Sequence, residues 1–235
     1  MFVFLPSDTG TYPPESCLFG LLLAIYSFIT AISVFVRWQQ VRTYYETDGS
    51  RGLHRTNNVA LGLGLTGAFG ILLVANFQES NVIVVHLIGA FLAFGIGSVY
   101  LWLHTYISYK AQSLPGHKSY LRHFRLVTSF VITVSFTLVV VFAVRAGSKP
   151  EGKHWSASDK GFSDHVASTA LEWVGAFLSA AYFASFFEEF RHFHVTLPVE
   201  FSESPVLDSY QVTGHTPEND LHNGHTNKAF VSTVS

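Results

Sequence analysis

The sequence LVTSFVITVSFTLVVVFAV, residues 126–144, runs for nineteen residues without an acidic or basic side chain. A hydrocarbon core about 30 Å thick is crossed by roughly 20 residues of α-helix at 1.5 Å per residue, so this stretch predicts one transmembrane helix. Four more apolar stretches of similar length occupy residues 17–36, 58–77, 82–109 and 166–187. The sequence therefore predicts an all-α fold, an integral membrane helical bundle with five transmembrane helices.

Composition supports a membrane protein and argues against a nucleic-acid partner. Of the 235 residues, 49% are hydrophobic and only 13% are Asp, Glu, Lys or Arg, against roughly 25% charged residues in an ordinary soluble domain. The 14 basic residues are scattered in small groups, and the formal net charge is −2. Nucleic-acid-binding domains instead gather their basic residues on one face. The expected partner is therefore membrane lipid, with no nucleic acid.

The connections between the predicted spans differ in basic residues, and this difference predicts the orientation. Cytoplasmic loops of membrane proteins are enriched in Lys and Arg. With the amino terminus in the lumen, ten basic residues lie on the cytosolic side and four on the lumenal side. We therefore predict a lumenal amino-terminal segment (residues 1–16), a transmembrane bundle (17–190) and a cytosolic tail (191–235). Few large apolar side chains follow Pro198, which predicts that the tail is largely disordered.

The sequence contains no motif that indicates a catalytic or metal site. A single cysteine, Cys17, excludes an intramolecular disulfide and a cysteine-based zinc site, because both need several thiolates. The triplet Asp8-Thr9-Gly10 is similar to the active-site triplet of aspartic proteases, but that chemistry needs two such carboxylates sharing a proton. We therefore predict a protein without catalytic residues, metal ions or cofactors.

Small residues at four-residue intervals let transmembrane helices approach one another closely. Three predicted spans have this pattern, with Gly62, Thr66 and Gly70 in the second, Gly89, Ala93 and Gly97 in the third, and Ala176, Ala180 and Ala184 in the fifth. The pattern predicts that these faces pack within one bundle, and it leaves the oligomeric state open.

Glu172 is the only Asp, Glu, Lys or Arg inside the five predicted spans, and we predict that it pairs with His86. Glu172 is four residues before Ala176 and His86 is three before Gly89, which puts each on the small-residue face of its helix. An ionisable group in a membrane helix is costly and usually faces a partner in the bundle. We expect an interhelical hydrogen bond, which becomes an ion pair when His86 is protonated in an acidic lumen. The alternative is a separate partner for each, such as Asn76 or a backbone carbonyl.

Several blocks of the sequence, in order along most of the chain, resemble one family of membrane proteins. The blocks are Leu5-Pro6-Ser7-Asp8-Thr9-Gly10-Thr11, Pro14-Glu15-Ser16-Cys17-Leu18-Phe19-Gly20, Val74-Ala75-Asn76-Phe77-Gln78-Glu79, His86 with Gly89-Ala90-Phe91-Leu92, Ile107-Ser108-Tyr109-Lys110, and Lys160-Gly161 through His165 to Glu172-Trp173. They resemble the damage-regulated autophagy modulator (DRAM) family, a branch of the Frag/DRAM/Sfk membrane proteins. The family-motif residues taken from these blocks are Asp8, Thr9, Gly10, Pro14, Glu15, Asn76, Phe77, Gln78 and Trp173.

The resemblance implies a multispanning protein of lysosomal and related endomembranes that promotes autophagy and is not an enzyme. It also implies protein partners in the autophagy machinery and, for some members, a link between stress signalling and cell death. Sister branches leave two alternatives open: a lipid-handling protein, such as a scramblase or lipid-remodelling factor, and a plasma-membrane scaffold for a phosphoinositide kinase. The family ordinarily has six spans, so the resemblance also leads us to expect a shortened isoform or an incomplete gene model that lacks the first helix.

Overall fold

A computed structural model describes residues 14–48, 52–77, 82–147, 155 and 158–194. Every regular element in these ranges is helical, and no strand occurs within them. The helices, in chain order, are α1 (Glu15–Asp48), α2 (Gly52–Asn76), α3 (Ile83–Ala90), α4 (Gly97–Lys110), α5 (Ser119–Ala146), α6 (Phe162–Ala184) and α7 (Phe187–Phe190). A π-helical turn, Phe91–Ile96, joins α3 to α4. All described residues belong to one compact unit, residues 1–195, and the predicted disordered tail beyond Pro198 lies outside the described residues.

Within the described ranges, five helical spans are long and apolar enough to cross a membrane, which confirms the predicted all-α membrane bundle. They are Glu15–Thr47, Gly52–Asn76, Ile83–Lys110, Ser119–Ala146 and Phe162–Phe190. Each span packs against the next one along the chain. Because the connections between them are short, the first, third and fifth spans run in one direction and the second and fourth in the other. The first, third and fifth spans finish at the same end of the bundle. This end contains the cluster of buried ions described in the next section, and it is called the cluster end.

The first helix extends well beyond the apolar stretch that predicted it. It continues through Asp48, whereas the predicted span ended at Val36. Its added turns include Arg37, Val41 and Tyr45, which are all buried. Residues four apart lie on one face of a helix, so these three side chains form a single packed stripe. Tertiary packing of one face supplies most of the stability of a helix, and it keeps this segment helical after the apolar run has ended.

Side-chain hydrogen bonds tie the first span to the second. At the cluster end the Asn57 amide donates to the Trp38 carbonyl oxygen at 2.9 Å, and the Trp38 indole donates to Asn58 Oδ1 at 2.8 Å. Deeper in the bundle Ser27 Oγ donates to the Ala68 carbonyl oxygen at 2.7 Å. Polar contacts of this kind hold membrane helices together, because lipid supplies little hydrophobic force between them.

The second and third spans meet through glycine residues. A Cβ atom added at Gly70 would lie 2.5 Å from the Ala93 nitrogen and 2.7 Å from the Gly89 carbonyl oxygen. A Cβ atom added at Gly67 would lie 3.3 Å from the Cα atom of Gly97. The two backbones are therefore in direct contact, and the predicted packing of the small-residue stripe of the third span is confirmed.

The predicted small-residue faces of the second and fifth spans are wrong in part, because two of the three predicted residues in each span do not pack inside the bundle. Gly62 and Thr66 are exposed, and no atom lies within 4 Å of the position a Gly62 Cβ would occupy. Ala180 and Ala184 are also exposed. The fifth span instead buries Tyr182, whose hydroxyl group forms hydrogen bonds to the third span. Large polar side chains that find partners occupy this part of the interior, so the close approach that small residues allow is not used there.

Candidate functional site

A salt bridge joins the fourth span to the end of the fifth inside the bundle. Arg125 Nη1 donates to Glu189 Oε1 at 2.7 Å, and Arg125 Nη2 donates to Glu189 Oε2 at 2.6 Å. Both side chains are 0% exposed. Two parallel bonds between a guanidinium and a carboxylate make a strong, charge-assisted contact with fixed geometry, so Arg125 determines the position of Glu189.

The remaining hydrogen bonds of Arg125 extend this contact to the third span. Its Nε donates to Ser185 Oγ at 2.9 Å, and its Nη2 donates to the Ser185 carbonyl oxygen at 2.8 Å. Its Nη1 also donates to Ser108 Oγ at 3.0 Å. A buried ion loses its hydration at a cost of several kcal/mol, which only good geometry and additional hydrogen bonds offset. Arg125 meets that requirement with partners on two other spans.

A second arginine, Arg37 of the first span, is buried beside this pair and has fewer partners. Its Nη1 lies 3.9 Å from Glu189 Oε1, too far for a hydrogen bond, and donates instead to Gln40 Oε1 at 2.7 Å. Gln40 Nε2 donates to the Glu189 carbonyl oxygen at 3.0 Å. The Arg37 Nε atom has no hydrogen-bond partner among the residues that the structure describes. Arg37, Arg125 and Glu189 are called the ion cluster below; it contains two positive charges and one negative charge.

Aromatic rings enclose the ion cluster. The central guanidinium carbons of Arg37 and Arg125 lie 4.8 and 4.5 Å from the centroid of the Phe186 ring. A desolvated cation–π contact contributes about 2 kcal/mol, so Phe186 offsets part of the cost of burying the surplus positive charge. His104 stands edge-on to Phe186 at 5.8 Å and packs 4.5 Å from Tyr100, measured between ring centroids. All five side chains are at most 1% exposed.

Hydroxyl groups continue the polar interior from the ion cluster toward the centre of the bundle. Thr105 Oγ1 lies 3.1 Å from Ser129 Oγ and 3.1 Å from the Tyr182 hydroxyl oxygen. The Tyr182 hydroxyl group donates to the Leu101 carbonyl oxygen at 2.8 Å. These bonds join the third, fourth and fifth spans and hold them in a fixed register near the ion cluster.

A groove of about 400 Å³ opens beside the ion cluster. Gln40, which accepts the Arg37 hydrogen bond, forms part of its wall and lies between the groove and the ion cluster. Ligand-binding pockets range from roughly 300 to 1,000 Å³, so the groove has room for a small headgroup or anion. Three segments line the groove: Gln40, Thr43, Tyr44 and Thr47 of the first span, Ser113, Leu114 and Pro115 of the loop after the third span, and His192 and Phe193 after the fifth span.

Three charged residues are linked to the groove through His192, whose Nδ1 bonds the Glu188 carbonyl oxygen, and are called the rim below: Lys118, Glu188 and Arg191. Lys118 Nζ lies 3.1 Å from one Glu188 carboxylate oxygen, and Arg191 Nη1 lies 3.9 Å from the other. The hydrogen bond to Glu188 raises the pKa of the Lys118 amino group. His192 Nδ1 donates to the Glu188 carbonyl oxygen at 2.8 Å. Two permanent cations thus share one carboxylate at the rim, as they do in the ion cluster.

The loop between the third and fourth spans packs directly on the end of the fifth. Gly116 has a φ angle of +78°, and a Cβ atom there would lie 2.5 Å from the Glu188 carbonyl oxygen. Glycine is needed because the backbone is left-handed and the approach is close. In the neighbouring residue, burial of the imidazole lowers the pKa of His117. The loop is therefore a packed part of the cluster end.

The predicted pair His86–Glu172 lies in another part of the fold. Both side chains are half-buried, His86 near the start of the third span and Glu172 in the fifth. His86 Nδ1 donates to the Phe77 carbonyl oxygen at 2.8 Å, which leaves Nε2 for a second partner. The suggested alternative partner Asn76 donates to the Leu72 carbonyl oxygen of its own helix at 2.8 Å. The His86–Glu172 hydrogen bond stays a prediction.

The other family-motif residues that the structure describes, Pro14, Glu15, Phe77 and Trp173, are exposed or half-buried. The Pro14 carbonyl oxygen accepts from the Cys17 backbone nitrogen at 3.2 Å, and Glu15 is the exposed first residue of α1. Trp173 is half-buried and stacks on Phe177 with 5.3 Å between ring centroids. Phe77 is exposed, and Asp8, Thr9, Gly10 and Gln78 lie outside the described residues.

Sequence analysis did not identify the ion cluster. Arg37, Arg125 and Glu189 each lie one or two residues outside a predicted apolar span, so hydropathy does not indicate that they are buried in the bundle. Helical spacing is the signal that identifies them: Arg37 is seven residues after Thr30, and Arg125 is four before Ser129. Residues at such intervals share one helix face, and all of these side chains are buried.

Five membrane-spanning helices around a buried ion cluster define a multi-span membrane protein whose interior is strongly polar at one end. The chain belongs to the family described as Frag1/DRAM/Sfk1/Cwh43P N-terminal domain, whose model matches residues 4–193. That match includes the described helical bundle, and it confirms the predicted resemblance to the DRAM family. No solved structure matches this chain.

Several curated proteins are similar to this chain over most of its length. DNA damage-regulated autophagy modulator protein 2 of Rattus norvegicus is 34% identical over 199 residues, which cover 83% of this chain and 73% of the relative. DNA damage-regulated autophagy modulator protein 1 of Homo sapiens is 37% identical over 206 residues, which cover 84% and 82%. The modulator of macroautophagy TMEM150B of Xenopus tropicalis is 39% identical over 135 residues, which cover 57% and 55%.

Proposed function

We propose that this protein is a non-enzymatic regulator of autophagy in the lysosomal membrane. The observation that carries the proposal is that relatives aligned over more than four-fifths of the chain are named autophagy modulators. Similarity of this extent covers most of the chain and is not confined to a short motif. A contribution to stress-induced cell death is part of the same proposal.

The structure suggests how such a regulator would contact its partners. The cluster end contains the groove and the packed loop that follows the third span, and these features are held in place by the buried ion cluster. A rigid, polar surface of this kind suits recognition by proteins of the autophagy machinery in contact with membrane lipid. In the predicted orientation the cluster end faces the cytosol, where that machinery operates.

Rescue of autophagic flux tests the proposal. Cells from which the endogenous relative has been deleted would be complemented with the full chain, and turnover of an autophagosome marker would be followed with and without inhibition of lysosomal degradation. We expect the chain to restore flux under starvation. Normal expression and membrane insertion without any restoration of flux would contradict the proposal.

The lysosomal location of the protein requires a control experiment of its own. The same chain with an endoplasmic-reticulum retention signal would be expressed in parallel at a matched level. If the protein acts in the lysosomal membrane, the retained form should be inserted normally and should fail to restore flux. Equal rescue by both forms would show that the lysosomal part of the proposal is wrong.

A further inference from the structure

The groove at the cluster end lies between two groups of charged residues that each have a surplus positive charge. On the inner side the ion cluster has two arginines and one carboxylate. On the rim Lys118 and Arg191 share Glu188. The Arg42–Glu46 ion pair on the first span, with an N···O distance of 2.9 Å, is neutral as a whole. Counted over these residues alone, two positive charges near the groove are uncompensated.

On the inner side, the surplus charge belongs to Arg37. The Glu189 carboxylate already accepts two bonds from Arg125, and the one hydrogen bond of Arg37 within the described residues is to a neutral amide. A buried ion with so few partners is costly, because these contacts replace its hydration only in part. The Arg37 guanidinium donates to Gln40, which is one of the residues that line the groove. An anion in the groove would therefore lie close to a cation that lacks a full counter-charge.

The walls of the groove also contain an unused hydrogen-bond donor. The hydroxyl oxygens of Tyr44 and Ser113 lie 2.8 Å apart, and only one of the two groups can donate in that bond. The other hydroxyl hydrogen is left for a ligand. The bond from His192 Nδ1 to the Glu188 carbonyl oxygen fixes the orientation of the imidazole and makes Nε2 an acceptor in the neutral ring, so His192 donates to a ligand only as the imidazolium ion. A hydroxyl donor beside a surplus of positive charge suits the binding of an oxyanion.

We propose that this groove binds a phosphate monoester, either the headgroup of an anionic lipid or a free phosphate compound. A monoester carries a charge of about −1.5 to −2 at pH 7, which matches the two uncompensated positive charges, whereas a phosphodiester carries only one negative charge. The long side chains of Lys118 and Arg191 at the rim supply long-range attraction, and Arg37 supplies the buried charge. This site is independent of the proposed role in autophagy.

Binding to the purified full-length chain in detergent tests the site. The probes are dioctanoyl phosphatidic acid, a lipid monoester, and dioctanoyl phosphatidylglycerol, a diester with the same acyl chains. Native mass spectrometry and the rise in melting temperature would measure occupancy. We expect saturable binding of one phosphatidic acid molecule, with much weaker binding of phosphatidylglycerol. Equal binding of the two lipids would overturn the proposal.

Soluble probes identify the source of the phosphate. Glycerol 3-phosphate and inorganic phosphate would be added as competitors of phosphatidic acid. Competition by them supports a site for free phosphate compounds, whereas binding of phosphatidic acid without competition supports a lipid headgroup site. If neither of the two monoesters, phosphatidic acid and glycerol 3-phosphate, binds, the proposal is wrong.

Two matched pairs of variants locate the binding site. Thr47→Trp fills the groove, and Thr66→Trp is its control, since both threonines are exposed and bond to a carbonyl of their own helix. Arg191→Gln removes a rim charge, and Arg145→Gln is its control, since the two arginines are 61% and 64% exposed and each pairs with a carboxylate.

We expect Thr47→Trp to abolish binding and Arg191→Gln to weaken it about fivefold, the effect of one basic residue near an anionic headgroup. Both controls should bind as the unchanged chain does. Arg191→Gln alters only an exposed side chain, so it gives a result even if the tryptophan variant fails to fold. Wild-type binding by a folded Thr47→Trp variant, or by Arg191→Gln, would show that the ligand binds elsewhere.

Discussion

Glu189 is the residue on which the charge balance of the ion cluster depends. It is the carboxylate that faces both buried arginines, and the structure shows it bonded to Arg125 through both oxygens. Removing one partner of a buried ion pair costs about 3–5 kcal/mol, because the charge that remains is uncompensated. Glu189→Gln keeps the shape of the side chain but leaves both arginines without a negatively charged partner. It should therefore destabilise the bundle by that amount.

Equilibrium unfolding in mixed micelles would measure this loss. The neighbouring Glu188→Gln variant is the control, because Glu188 is paired at the rim and should change stability far less. Combining Glu189→Gln with Arg125→Met should restore part of the lost stability, with a coupling energy of about 1–3 kcal/mol. A Glu189→Gln protein as stable as the unchanged chain would mean that the salt bridge does not hold the bundle together.

His86 and Glu172 offer a second test at the scale of single residues. Glu172→Gln and His86→Ala would be made singly and together, and thermal stability would be compared at pH 5 and pH 7. Hydrogen bonds between membrane helices contribute about 0.6 kcal/mol on average, so we expect a coupling of that size, and a larger one at pH 5 if an ion pair forms. Coupling near zero at both pH values would refute the pair.

His117 should make the stability of the cluster end depend on pH. Burial lowers its pKa in the folded protein, whereas an unfolded histidine titrates near 6.5. As the pH falls below about 6.5, the unfolded chain binds a proton that the folded chain does not, so folding becomes less favourable. His117→Gln should therefore lose less thermal stability between pH 7.5 and pH 5.5 than the unchanged chain. His123→Gln is the control variant. An identical loss of thermal stability in His117→Gln and in the unchanged chain would contradict this explanation.

At the scale of the helices, the contact between the second and third spans depends on single glycines. Gly70→Ala places a methyl group 2.5 Å from the Ala93 nitrogen, so the two backbones must move apart. Overpacking of this kind costs about 1–3 kcal/mol. Gly62→Ala, on the exposed side of the same helix, meets no atom within 4 Å and should be neutral or slightly stabilising, since alanine favours helix. Thermal unfolding of the two variants checks the difference, and equal destabilisation would show that the effect comes from the helix and not from the contact.

The five spans could be predicted from sequence, whereas the packed faces could be predicted only in part. Hydropathy identifies the helices because a bilayer requires about 20 apolar residues. It does not show which face of a helix packs: Gly62 and Gly70 belong to one sequence pattern, yet Gly62 faces outward and Gly70 faces the third span. Both positions are equally apolar, so only the arrangement of the neighbouring helices distinguishes them.

The ion cluster was beyond the reach of hydropathy for a related reason. A window that requires an uncharged run stops at Arg37 and Arg125, because it treats every charge as the end of a span. In the structure the helices continue past both residues, and their charges are neutralised in part by Glu189 from another span. Partners so distant in sequence cannot be recognised from one span alone.

At the scale of the whole molecule, the two ends of the bundle differ in character. Four spans contribute a side chain to the ion cluster or its hydrogen bonds: Arg37, Ser108, Arg125 and Glu189. The second span is tied to the same end through Asn57. Disturbance of the ion cluster should therefore spread to all five spans. The orientation of the bundle then decides whether this end meets the cytosol or the lumen.

Cysteine labelling in sealed lysosomal vesicles would determine that orientation. The chain has a single cysteine, Cys17, so Cys17→Ser provides a background in which Gln112→Cys and Lys160→Cys are introduced separately. Both positions are exposed, Gln112 in the loop after the third span and Lys160 in the loop before the fifth, at opposite ends of the bundle.

The excess of basic residues at the cluster end predicts that this end faces the cytosol. A membrane-impermeant maleimide should therefore label Gln112→Cys in intact vesicles and Lys160→Cys only after detergent is added. The reverse pattern would invert the topology, and labelling of both in intact vesicles would contradict a bundle in which these loops lie on opposite sides of the membrane.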